Sequence, residues 1–593
     1  MFSKTDPLLL SSNEINSQNK IFQSGLFPIV ISFLLAFAGI LYLARTANID
    51  EGMYLLYAQQ LVDYGGKPYD DVVLLKNPGI IIVHIIFYSL SRDPKAVLFL
   101  VRTFNWFLYA GSILGIYLLG RTLFSEKTGF FAALLFSLAP TVSKLLINNT
   151  MEPGLIFFQT WSLLFAARAL SPVIESPNNN NRLFLLSGIF AALSFLFKET
   201  VAPVILFSLV FLIIRGFAEK NIETRWSPLL MYIAGGMLGS IPLMVFLLYY
   251  NCFWEFLDFK LGIVSLVSAK AIGTKPPSSA VGPTDADYGK TFAELFGSFA
   301  EAPLLWIAGF LGLIYIFSNT KRHKMISSQT YIVGACVSSV LGVLGSVFFN
   351  SANVERYVLP VIAILAVFSG NWLANEFESR DFRGFIWFIS IWIAIAVFTF
   401  FLLADHADLG SPLRESLLFF QGSLLGAALI AKMSITRRIG SWEISRAHLS
   451  LGLWCIIIII LFAANAIFSA QAAISGIQSY QEYFEVANYV AERTAEDDYI
   501  FSDVPIVLYL SQRRQAFNLT VMIRMSWKNY VNFSDIPRQL ESHSANYAIL
   551  TDFFFSVFPE GVVEYFNNNF EAVRQWKAGP NDYLRGAVYL RVQ

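Results

Sequence analysis

Asp50 and Glu51 stand side by side just after an apolar run, in Asn48-Ile49-Asp50-Glu51-Gly52-Met53-Tyr54. A carboxylate within reach of a hydroxyl can take its proton, so such a pair suits general acid–base chemistry. The next residues are Gly65-Gly66-Lys67-Pro68-Tyr69-Asp70-Asp71, then Lys76-Asn77-Pro78-Gly79, and later Arg102. Glu152, Lys198-Glu199 and Glu355-Arg356-Tyr357 lie farther on, each beside an apolar stretch. Arg356 is suited to gripping a phosphate at two points, and Lys76 to holding one as a point charge. Ionisable groups in or beside membrane helices are costly, which makes each of them a functional candidate. Together they suggest catalysis on a lipid-carried substrate.

Each residue also has a purely structural reading. Asn48 with Glu51 three residues on fits a capping box, and acids in a first helical turn suit the helix dipole. Such a cap would also fix the orientation of Asp50. Asp70 and Asp71 fit an ordinary solvated turn. Lys76 could snorkel at a bilayer surface. Arg102 and Glu152 could pair with one another or with backbone, and Lys198-Glu199 could be a polar hairpin.

The elements that must position these residues are mostly membrane helices. The 593 residues are 55% hydrophobic and 14% charged, against roughly 25% charged in a soluble domain. Mean hydropathy is +0.56. Lys+Arg and Asp+Glu balance at 42 each, so net charge selects no partner, and nothing points to nucleic acid. Cys252, Cys336 and Cys455 lie far apart, and the five histidines are scattered, so no metal-ligand spacing appears. About thirteen stretches suit membrane spans, near 25–43, 97–119, 129–146, 151–170, 183–198, 199–217, 227–250, 302–318, 329–349, 356–375, 384–404, 414–431 and 449–471.

With residues 1–24 as a cytoplasmic tail, Lys and Arg concentrate in the inner connections, including Lys321-Arg322-His323-Lys324 and Arg437-Arg438. That agrees with the positive-inside rule. The loops 44–96 and 251–301 and the tail 472–593 then lie outside, with Asp50, Glu51, Lys76, Arg102, Glu152, Lys198 and Arg356 at that same outer face. A transporter would place polar residues nearer mid-membrane. Residues 79–90 are apolar but too short to span, and read as an interfacial helix. The Ser-, Gly- and Pro-rich stretch 268–295 reads as a mobile outer loop. In the tail, Glu482–Thr494 reads as an amphipathic helix. Tyr499–Ser502, Tyr547–Thr551 and Ala587–Val592 read as buried strands of a small α/β domain.

Over residues 48–102 the sequence resembles the polytopic GT-C glycosyltransferases, in particular the protein O-mannosyltransferase and aminoarabinose transferase superfamily (glycosyltransferase family 39). Asp50-Glu51-Gly52-Met53-Tyr54, Gly66-Lys67-Pro68-Tyr69-Asp70-Asp71, Lys76-Asn77-Pro78-Gly79 and Arg102 follow the family's first-loop pattern. Glu152 matches its later acidic position, and Arg356-Tyr357-Val358-Leu359-Pro360 is similar to its Arg-Tyr-x-x-Pro stretch. Asn77 departs from the Pro of many relatives, and Lys198-Glu199-Thr200 fits the equivalent turn loosely.

The resemblance implies a multi-pass α-helical GT-C-like membrane domain over 25–471, with an extracytoplasmic α/β domain after it. It implies inverting transfer of a sugar from a polyprenyl-phosphate donor to a protein, lipid or glycan acceptor. Asp50 would be the general base, with Glu51 or Glu152 orienting the acceptor or the base. Lys76, Arg102 and Arg356 would bind the donor phosphate, and Tyr54, Asp70, Asp71, Lys198 and Tyr357 would be further site residues. An apolar groove bordered by 79–90 would take the prenyl chain. No cofactor is required; a divalent metal is compatible with the acids, but no residue pattern calls for one. The general look is that of a bacterial inner-membrane protein with a periplasmic tail. The alternatives are a flippase for the same lipids, an oligosaccharyltransferase-like enzyme, and a membrane scaffold.

Overall fold

A computed structural model describes residues 27–37, 39–44, 49–69, 77–148, 150–171, 177–219, 225–258, 260–261, 303–320, 327–349, 354–378, 480–516, 535–577 and 585–592, with four isolated positions between 470 and 477. Asn48, Asp70, Asp71, Lys76, Cys455, the stretch 268–295 and the expected spans 384–404, 414–431 and 449–471 lie outside these residues.

Helix α1 (Phe27–Phe37) opens the bundle, and the first loop contributes α2 (Ile49–Asp63) and α3 (Gly79–Leu90). The 30-residue α4 (Pro94–Leu123) starts sharply, because Asp93 accepts a hydrogen bond from the Lys95 amide at 3.0 Å and Pro94 needs no partner for a missing N–H. The expected span 129–146 is instead two helices, α5 (Glu126–Leu138) and α6 (Pro140–Leu146). Pro140 forces Ala139 out of helical geometry, to φ −73° and ψ 115°.

Then follow α7 (Glu152–Ala169), α8 (Pro177–Phe197), α9 (Ala202–Ala218), α10 (Ser227–Gly239), α11 (Ile241–Tyr249), α12 (Pro303–Thr320), α13 (Ser327–Phe349) and α14 (Val354–Glu378). Every expected span from 25–43 to 356–375 coincides with one or two of these helical segments. Among the described residues, five helical stretches are long and apolar enough to cross a membrane. Burial separates their roles. The apolar window of α14 is 94% buried and so is central, whereas that of α10–α11 is 22% buried and exposes Met237, Val245 and Leu248.

The tail pairs a helix over 480–491, α15, with a five-stranded sheet. Its strands are β1 (Tyr499–Ser502), β2 (Arg514–Gln515), β3 (Tyr547–Thr551), β4 (Phe570–Lys577) and β5 (Arg585–Arg591), in the order β2-β1-β3-β5-β4. β1 runs parallel to β2 and β3, while β5 runs antiparallel to β3 and β4. Sequence reading finds β1, β3 and β5 but not β4. Among its described side chains that edge strand buries Phe570 and Trp576 alone, and a register shift between Ala572 and Arg574 breaks its regularity. The tail also contains α16 (Pro505–Ser511), which follows β1, α17 (Asp535–Ser542), the short α18 (Asp552–Val557) and α19 (Glu560–Asn569).

The tail has one core of its own, around Phe501, Leu540, Phe554 and Phe566. A second core is shared with the first loop. Leu55, Leu56 and Ala58 of α2, Tyr88 of α3 and Val97, Leu98 and Val101 of α4 pack with Val486 and Val490 of α15 and Ile506, Val507 and Tyr509 of α16. Helix α3 therefore does more than lie at an interface: it buries Ile80, Ile81, His84 and Tyr88 inside the protein and exposes Ile86 and Leu90.

Asp503 closes β1 and is 4% exposed, its carboxylate accepting from the Thr551 hydroxyl at 2.6 Å and the Thr551 amide at 3.0 Å. Burial outweighs these bonds and pushes its pKa up to about 7. The folded tail thus keeps a proton that the unfolded chain releases near pH 4. This contribution to stability is complete below that pH and is lost as pH rises through 7. Hydrogen exchange of β1 and β3, corrected for intrinsic rates, should show weaker protection at pH 8 than at pH 5. Asp503→Asn should flatten that difference, and an unchanged slope in the variant would exclude Asp503 as its source.

Candidate active site

Consecutive residues on a helix point about 100° apart, so the two adjacent acids of α2 cannot face the same partner. Glu51 turns inward and is fully buried. It accepts from Arg102 of α4 at both oxygens, Nε to Oε1 at 3.0 Å and Nη2 to Oε2 at 2.9 Å, while Arg102 Nη1 donates to the Leu43 carbonyl at 2.7 Å. The Tyr480 ring lies 5.6 Å from this guanidinium. Asp50 turns toward α14 and is ion-paired with Arg356. This pair keeps contact with solvent, with side-chain exposures of 24% for Asp50 and 18% for Arg356.

A second pair lies beside the first. Glu152, in the first turn of α7, accepts from Lys198 Nζ at 2.8 Å, and both residues are buried. Lys198 sits in extended geometry between α8 and the 3-10 turn Glu199–Val201, and its ammonium is 4.7 Å from the Tyr357 ring centre. Arg356 feels the charges of both Asp50 and Glu152, so the two pairs form one cluster. Adjacent positions at the start of α14 divide the work: Arg356 reaches Asp50, and Tyr357 covers Lys198. Pro360 has no N–H to give the Arg356 carbonyl, which loosens the backbone at this helical turn.

Tyr54 is buried one turn beyond Asp50, its ring 6.0 Å from that of His84. Gly65 takes φ +65°, in the left-handed region that glycine adopts without strain. Asn77 donates to the Phe195 carbonyl near the end of α8. A Cβ on Gly79 would come within 2.6 Å of the Leu196 carbonyl oxygen. The turn ahead of α3 is thus seated on α8, two to three residues before Lys198. Two ion pairs that sequence reading did not single out pin the region further, Lys67 with Glu255 and Lys260 with Glu199. Among the described residues no group of three or more His, Cys, Asp or Glu is placed to hold a metal ion.

Apolar grooves open on the bundle. One, of about 370 Å³, lies between α8, α9 and α10, and its lining includes Phe195, Leu196 and Ala202, close to Lys198 in the chain. Another, of about 430 Å³, is bordered by Ile82, Ile85 and Ile86 of α3 and by Val245 and Tyr249 of α11.

Residues 82–246 match the family described as dolichyl-phosphate-mannose-protein mannosyltransferase. The crystal structure of ArnT from Cupriavidus metallidurans bound to undecaprenyl phosphate is similar along 97% of this chain and 98% of that one, at 12% identity and a TM-score of 0.55. The apo state of the same protein gives the same coverage, 14% identity and a TM-score of 0.52. This is the GT-C glycosyltransferase fold. No curated protein matches the sequence. The likeness to ArnT runs through the tail as well as the bundle, so the GT-C fold here includes the domain seated on the first loop.

Proposed function

We propose that this GT-C protein is an inverting glycosyltransferase that moves a sugar from a polyprenyl-phosphate donor to an acceptor hydroxyl at the outer membrane face. The observation that carries this reading is the single cluster of Asp50, Arg356, Glu152 and Lys198, a base and two cations on a fold shared with a protein that binds undecaprenyl phosphate. In the proposed reaction Asp50 takes the acceptor proton, and the acceptor oxygen bonds to the anomeric carbon. The bond from that carbon to the phosphate oxygen breaks, and its electron pair leaves on the polyprenyl phosphate.

Asp50 is paired with Arg356. A donor phosphate would compete for Arg356, and drawing the guanidinium away would leave Asp50 a stronger base. Arg356 and Lys198 would then stabilise the charge that grows on the leaving phosphate, and Lys76 would add a third cation. Glu152 would orient the acceptor or the base. The groove beside Phe195 and Leu196 would receive the start of the prenyl chain, since it is the nearer of the two to Lys198 in the chain. Glu51 and Arg102 hold each other inside the protein, so we assign them to positioning α2 rather than to gripping the phosphate. The tail 472–593 would be extracytoplasmic.

The test is release of free polyprenyl phosphate by the protein reconstituted in lipid, given a panel of polyprenyl-phosphate sugars and cell-envelope extract as acceptor. Acceptor-dependent release from at least one donor is expected, and Arg356→Met should weaken it while sparing the fold. Flipping of the same lipids without release from any of them would overturn the reading in favour of a transporter.

A further inference from the structure

Helix α2 has apolar residues on two faces. Tyr54, Tyr57 and Leu61 pack into the bundle core, whereas Leu55, Ala58 and Val62 pack into the core shared with the tail. A helix buried on both sides has its rotation set by both neighbours. On the tail side the nearest neighbour is backbone. A Cβ built on Gly52 would lie 2.6 Å from the Ile506 amide nitrogen and 2.9 Å from its Cα. Gly52 is two residues from Asp50, and Ile506 is the second residue of α16.

The approach of α16 is itself held at both ends. Upstream, Asp503 is tied to Thr551 of β3, and the Ser502 hydroxyl accepts from the Val504 amide at 3.0 Å. Pro505 then starts the helix. Downstream, Gln512 donates through Nε2 to the Arg92 carbonyl at 3.1 Å, and the Tyr64 hydroxyl donates to the Gln512 carbonyl at 3.4 Å. Arg92 and Tyr88 in turn are bound to Asp63, the last residue of α2. The chain through α16 to Gln512 therefore meets α2 at Gly52 in its first turns and is tied again at Tyr64, the residue after its end.

We infer that α16 of the tail is a positioning element of the reaction, its Ile506 backbone pressed on Gly52 so that α2 presents Asp50 to Arg356. This rests on the proposal that Asp50 is the base. Glycine is required at position 52 because any side chain would meet backbone, which cannot turn aside as a side-chain tip can. A small rotation of α2 would move the Asp50 carboxylate away from Arg356 and from the acceptor. Misplacement of a reacting group by about 1 Å can cost about 100-fold in rate.

The test compares Gly52→Ala, Gly52→Val and Asp50→Asn in the full reconstituted chain. We expect kcat to fall about 10- to 100-fold in Gly52→Ala, and further in Gly52→Val, with donor KM within about twofold of wild type. Hydrogen exchange should show β1 and β3 as protected as in wild type, so that loss of the tail fold is separated from misplacement of α2. Gln512→Ala, which loosens the other end of α16, should lower kcat in the same sense with KM again unchanged. Full kcat in a folded Gly52→Val, alongside an inactive Asp50→Asn, would overturn the positioning role and leave Asp50 as base. Full activity in Asp50→Asn would instead remove the reading on which the inference rests.

Discussion

Asp50→Asn should lower turnover by about 10²–10⁴-fold while leaving donor binding nearly intact. The amide keeps the size of the carboxylate but cannot take a proton. It also ends the ion pair with Arg356, which frees the guanidinium for a donor phosphate. Donor affinity should therefore hold or rise as kcat falls, a split that general damage to the fold would not produce. Binding of a fluorescent polyprenyl-phosphate analogue, measured beside single-turnover release, would separate the two effects. Parallel loss of both would mean that Asp50 is needed for the fold or for binding instead of for proton transfer.

The second large effect concerns stability. Arg102→Leu would leave the fully buried Glu51 without its cation, at a cost of about 3–5 kcal/mol, comparable to much of the stability of a typical domain. The variant should unfold far below wild type in detergent, or fail to accumulate. Glu51→Leu with Arg102→Leu removes both charges from the interior and should recover a large share of that loss. Thermal unfolding of wild type and the two variants, followed by size-exclusion chromatography, would decide. A single Arg102→Leu as stable as wild type would show that Glu51 is not stranded, contrary to the bidentate geometry.

The two adjacent acids show what can and cannot be read from a chain. Their position at the start of an amphiphilic stretch after a membrane segment, with later cations at the same expected face, marks the region as chemically active. Residue type and spacing suffice for that, because charge beside lipid is costly wherever it occurs. They do not divide the labour between Asp50 and Glu51. The division comes from helix rotation, which sends one side chain to α4 and the other to α14, 51 and 306 residues away in the chain. The pairing of Glu152 with Lys198 is likewise invisible in sequence, where the two are 46 residues apart.

Hydropathy located the helices of the bundle because a membrane span must be long and apolar along its own length. It separated neither α5 from α6 nor the buried α14 from the exposed α10 and α11, since lipid and protein interiors favour the same side chains. β1, β3 and β5 were legible as short apolar runs because most of β1 and β3 and the first half of β5 are buried, whereas the irregular, largely exposed edge strand β4 was not. Residue types and hydropathy are enough to specify a helical membrane protein with a small α/β tail and a set of candidate acids and cations. That the tail shares a core with the first loop and rests on Gly52 emerges from packing alone, because contacts between distant backbone segments leave no periodic trace in either one.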